Sequence, residues 1–110
     1  MTINEYQQEA LRTASHDKHI PDAMLVNGVM GLCGESGECV DIVKKYLFQG
    51  HTLDIDHLIE ELGDVAWYIA TTAASKGYTL EYVLQKNVEK LRKRYPDGFS
   101  ADRSIHREEQ

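Results

Sequence analysis

Residues 54–77, DIDHLIEELGDVAWYIATTAASKG, decide the fold. Leu58, Leu62, Val65, Ile69 and Ala73 recur at intervals of three and four, the spacing of one helix face. Asp54 offers a side-chain acceptor to the first turn, and Gly77 can take the left-handed conformation that ends a helix. The stretch therefore predicts one helix from near Asp54 to Lys76. Within it, Glu61-Leu62-Gly63-Asp64 sets two carboxylates three residues apart, on the same helix face.

The flanking sequence extends the same pattern. Upstream, Pro21 suits the first position of a long helix with Asp22 in its first turn, running to about Phe48 and stopped by Gly50. That helix carries a second acidic doublet, Glu35-Ser36-Gly37-Glu38. Before it, Ile3, Tyr6, Ala10 and Ala14 mark a first helix over about Ile3–Ser15, followed by a polar connection from His16 to Ile20. Downstream, Thr79 caps a fourth helix whose stripe is Leu80, Leu84, Val88 and Leu91, and Pro96 halts it. Pro96 to Gln110 begins with a Pro-Asp-Gly turn and is polar, so it reads as a loop or a loosely docked tail. No segment alternates as a strand would. The expectation is an all-α, four-helix bundle forming one domain over residues 1–110, with its core at about 3–95.

Composition narrows the chemistry. At 110 residues and 42% hydrophobic content the chain can bury one core, and 27% charged residues is ordinary for a soluble protein. A net charge of −6 and a pI near 5.3 argue against a binder of nucleic-acid polymers, which would show a basic face. They leave a nucleotide substrate open, because a bound divalent ion reverses the local sign. No apolar run approaches the ~20 residues that span a bilayer, and the first residues lack the regions of a signal peptide. Cys33 and Cys39, the two cysteines, point about 240° apart on one helix and read as reduced packing residues. A cytoplasmic protein without membrane association is expected.

The two acidic doublets carry the functional signal. Like charges at this spacing are mildly unfavourable on a helix, by roughly 0.2–0.5 kcal/mol. Four carboxylates meeting between two helices need a cation, and an all-oxygen set suits Mg²⁺, with Mn²⁺ as the alternative, better than zinc or copper. Gly28, Gly31, Gly34 and Gly37 recur every third residue, and Gly37 and Gly63 each lie between paired acids, where a missing side chain would let the helix backbones approach. On the fourth helix Asn87, Lys90 and Arg94 share one face, and the two cations could hold phosphate oxygens or simply pair with nearby acids. Lys44 and Lys45 are explained by the helix dipole, Trp67 by the core and Glu60 by solvent. The five histidines, His16, His19, His51, His57 and His106, show no His-x-x-x-His or Glu-x-x-His spacing, which disfavours a di-iron bundle.

Gly34-Glu35-Ser36-Gly37-Glu38 followed by Glu60-Glu61-Leu62-Gly63-Asp64 resembles the signature of MazG-type nucleotide pyrophosphohydrolases, within the all-α NTP pyrophosphatase superfamily: ExxE, a spacer, then ExxD. Asn87-Val88-Glu89-Lys90-Leu91-Arg92-Lys93-Arg94-Tyr95 resembles that family's N-x-x-K-L-x-x-R-Y element, so the likeness covers about residues 22 to 99. The resemblance implies Mg²⁺ held by Glu35, Glu38, Glu61 and Asp64, and hydrolysis of a (d)NTP to the (d)NMP and pyrophosphate. It implies a homodimer or homotetramer whose subunits complete the pocket. A physical mechanism follows from that site, in which Glu38, with Glu35, is the expected catalytic carboxylate and Asn87, Lys90 and Arg94 the expected substrate contacts. Nucleotide-pool housekeeping is the expected role. The rival expectation is a non-catalytic helical module that senses nucleotide or mediates dimerisation, and the intact acid quartet speaks against it.

Overall fold

A computed structural model describes residues 1–15 and 17–107; His16, placed by the sequence pattern in the first connection, and residues 108–110 of the tail lie outside it. The described residues form five helices: α1 Ile3–Leu11, α2 Ala23–Phe48, α3 Ile55–Ser75, α4 Leu80–Arg94 and α5 Ala101–Ile105. The chain divides into two compact units, Met1–Leu80 and Glu81–Gln110. The all-α class is as expected; the tail adds a short fifth helix.

In the first unit α2 and α3 make the main packing surface and α1 lies against α3. A Cβ built on Gly28 would fall on Thr72, and one built on Gly31 would fall on the Tyr68 ring. Residue numbers rising along α2 thus meet numbers falling along α3, so the two helices run antiparallel. At Gly28 the α3 backbone itself comes close, with Thr72 Cα 3.3 Å from the built Cβ, whereas at Gly31 the missing side chain makes room for the Tyr68 ring. The expectation that Gly37 and Gly63 serve that purpose is corrected: a Cβ on either, or on Gly34, meets nothing within 4 Å.

Helix ends follow local chemistry where partners are local. Thr2 and Glu5 form a reciprocal capping box on α1. Asp54 accepts the His57 backbone N–H at 3.1 Å, and Gly77 takes φ 79° just past α3. α2 departs slightly from expectation. It begins at Ala23, with Asp22 outside it in the left-handed region at φ 53° and its carboxylate holding Lys76 Nζ at 2.9 and 3.0 Å.

α1 ends at Leu11 rather than near Ser15, because α3 intercepts its last turn. The Trp67 indole N–H donates to the Ala10 carbonyl at 3.0 Å and to Thr13 Oγ1 at 2.9 Å. Trp67 also packs, with Tyr6 and Ile69, against the buried cluster Ala10, Ala70 and Leu80. The buried Gln7 side chain ties the elements together. Its Nε2 donates to the carbonyls of Ala70 and Tyr78, both at 3.1 Å, and its Oε1 accepts the Leu80 N–H at 3.0 Å.

In the second unit α4 runs into the turn over residues 96–98, with Gly98 at φ 94°. The expected polar tail folds back as α5, capped by Ser100, and Arg103 donates to the Arg94 carbonyl at 2.5 Å and the Lys93 carbonyl at 3.3 Å. A cation at these carbonyls answers the negative end of α4.

Candidate metal centre

Glu35 on α2 and Glu61 and Asp64 on α3 come together: one carboxylate oxygen from each lies within 4.8 Å of the others. The antiparallel pairing produces this. Gly28 meets Thr72 and Gly31 meets Tyr68, and the next turn of α2 brings Glu35 level with the Glu61–Asp64 turn. Glu38, one turn further along α2, is exposed and stands outside this group; its charge acts on Lys45. Asn87, Lys90 and Arg94 share one face of α4 in the second unit, Asn87 and Lys90 exposed and Arg94 half-buried.

The cluster carries the marks of uncompensated negative charge. Glu35 is held above the ordinary carboxylate range, first because its protonated form can hydrogen-bond to the Glu61 carboxylate, then by burial and by the Glu61 charge. Tyr6 of α1 is raised as well, by burial and then by the Asp64 charge, and its hydroxyl lies 3.5 Å from the Gly63 carbonyl. Glu61 Oε1 is 3.1 Å from His57 Nε2, whereas Oε2 is buried and has no hydrogen-bond partner among the described residues. An orphaned buried carboxylate oxygen beside a proton-hungry neighbour is a donor set suited to a hard divalent cation.

Residues 27–99 match the MazG nucleotide pyrophosphohydrolase domain. The chain belongs to that family. The matched span contains all three clustered carboxylates, Glu38, and the Asn87–Arg94 face of α4. The chain is also similar to the Gene 37 protein of Mycobacterium phage L5, at 41% identity over 73 residues covering 63% of this chain and 64% of that protein. It thus spans somewhat less than two thirds of the length of that curated relative. No solved structure matches it closely enough to count.

Two residues at the centre escape the sequence pattern. Tyr6 lies before the MazG match and reaches the site only through tertiary packing. His57 had a local signal: it stands four residues before Glu61, one turn away on the same helix face. One other reading changes: Cys33 is exposed rather than packed, whereas Cys39 is half-buried. Tyr68 fills the space over Gly31, and Lys45, in the last turn of α2, also pairs with Asp41 at 2.9 Å. Among the described residues, no helix is long and apolar enough to cross a membrane.

Proposed function

We propose that this chain is a divalent-metal-dependent nucleoside triphosphate pyrophosphohydrolase, converting a (d)NTP and water to the (d)NMP and pyrophosphate. The observation that carries this is the Glu35–Glu61–Asp64 cluster with its orphaned buried oxygen, lying inside the MazG match. Those three carboxylates, with Glu38 as the fourth, would hold Mg²⁺ or Mn²⁺. When bound, the ion supplies Lewis acidity toward phosphate oxygens.

The chain's own groups do the rest. Glu38, with Glu35, accepts the proton of the attacking water. The water oxygen bonds to the α-phosphorus as the bond to the bridging oxygen breaks, and pyrophosphate departs with that electron pair. Lys90 and Arg94 offset phosphate charge, Arg by two parallel hydrogen bonds, and Asn87 hydrogen-bonds the sugar or base.

A second copy of the chain is the proposed partner. Val26, Met30, Cys33, Val40 and Leu47 are exposed along α2 at intervals of four, three, seven and seven, which keeps them on one side of the helix, and Ile55, Ile59 and Leu62 are exposed on α3. The role that fits this activity is housekeeping of the cytoplasmic nucleotide pool, with residues 1–110 acting as one MazG-like domain.

A panel of canonical dNTPs and NTPs, assayed with Mg²⁺ and with Mn²⁺ for both pyrophosphate and monophosphate, tests the reading. Equal yields of the two products, lost in Glu61→Gln, are expected. Release of orthophosphate instead would point to a phosphate-ester hydrolase, and metal binding without turnover of any nucleotide to a sensor.

A further inference from the structure

His57 and Glu61 form a contact that the proposed reaction does not require. His57 is the third residue of α3, its backbone N–H tied to Asp54 Oδ1 at 3.1 Å, so the first turn fixes where its ring starts. Its Nε2 lies 3.1 Å from Glu61 Oε1. The imidazole side chain is 47% exposed, whereas that of Glu61 is 15% exposed. The contact therefore joins the solvent side of α3 to the buried side of the acidic cluster.

A glutamate swings about its last torsion, so either oxygen can face a ligand. Occupying Oε1 removes that freedom, and the oxygen left over is the buried, unpartnered Oε2. We infer that His57 is a positioning residue: by donating Nε2–H to Glu61 Oε1 it holds the carboxylate so that Oε2 is presented to the cation. The inference rests on the metal-site reading given above. The donor is present both in the neutral ring protonated at Nε2 and in the imidazolium. Neighbours that orient metal-binding carboxylates typically change metal affinity by about 10- to 100-fold when removed.

Mn²⁺ binding to the full chain without nucleotide, followed by loss of the free-ion electron paramagnetic resonance signal, tests it. His57→Ala should weaken Mn²⁺ binding about 10-fold. His57→Gln, which keeps an N–H donor at nearly the same reach, should recover most of that loss, a rescue that a filler of space would not need. Circular dichroism confirms that each variant is folded, and the exposed position of the ring makes that the expected result. Equal affinities for wild type and His57→Ala would overturn the inference. So would a directly bonded imidazole nitrogen, seen as strong ¹⁴N modulation in the pulsed spectrum of the Mn²⁺-loaded wild type and absent from His57→Ala, because His57 would then be a ligand. Glu61→Gln separates the two levels: if it binds Mn²⁺ as tightly as wild type, the metal-site reading itself fails, whatever His57 does.

Discussion

Gln7 and Glu35 show what single side chains contribute in opposite directions. Gln7, itself buried, satisfies the carbonyls of Ala70 and Tyr78 and the N–H of Leu80, two of these bonds buried and the one to Tyr78 partly so. Leaving a buried polar group without its partner costs about 1–3 kcal/mol. Gln7→Ala should therefore lower stability by at least that amount in urea denaturation, and Gln7→Glu, which cannot donate to the two carbonyls, should be no better. Glu35 is a site of tension. Its pKa is raised in the folded chain, so the folded state holds this proton more tightly than the unfolded one. The resulting stabilisation is complete below the ordinary value of 4.5 and is lost as pH rises through the raised value. A cation competes with that proton, so the gain in Tm from Mg²⁺ or Mn²⁺ should be slight below pH 4.5 and grow above it. Thermal melts across pH, with metal and with a chelator, measure this; a gain independent of pH would remove Glu35 from the ligand set. Of these features, the acids were legible in sequence because their spacing is local. Gln7 was not: it lies on the face marked by Ile3, Tyr6 and Ala10, but its partners are more than 60 residues away.

Between elements, the decisive contact is the close approach of α2 and α3, which sets Glu35 level with Glu61 and Asp64. A Cβ on Gly31 would sit 2.1 Å from Tyr68 Cε1, and one on Gly28 2.1 Å from Thr72 Oγ1. Overpacking of this kind costs typically 1–3 kcal/mol. Gly31→Ala should therefore destabilise the chain and, by pushing the helices apart, weaken Mn²⁺ binding with no change to a ligand. Gly34→Ala is the control: open space surrounds that position, and relief of the glycine penalty should raise stability by up to about 1 kcal/mol. Paired denaturation and metal-binding curves decide whether the two variants diverge. Helix boundaries show which information is local. α3 was legible almost to the residue because Asp54 and Gly77 act on adjacent backbone. α1 was read too long because its end is set by an indole from α3, and α5 was missed because its few residues are anchored by Arg103 to carbonyls of α4. The glycine period in α2 was visible, but which members face a neighbour depends on the pairing of α2 with α3.

For the molecule as a whole, the supply of apolar residues exceeds what the single chain buries. Hydrophobic residues make up 42% of the sequence, yet among the described residues only Ala10, Ile42, Ala70 and Leu80 are buried apolar side chains. Met30 is 69% exposed, Val40 65% and Ile59 60%. The sequence showed enough apolar content for a core, because quantity can be counted; which faces cover one another cannot. Fully covering a Val, Ile or Met side chain is worth about 1.5–3 kcal/mol, so a seam made of such residues outweighs any single substitution in the core. The proposed association with a second copy would therefore supply stability as well as contact, and melting temperature should rise with protein concentration. Val40→Lys places a charge in the proposed α2 seam, away from the clustered carboxylates. In sedimentation equilibrium it should shift the chain toward monomer, and its melting temperature should fall and lose the dependence on concentration. A wild-type chain that sediments as a monomer at every concentration would instead assign the exposed seam to a partner of a different sequence.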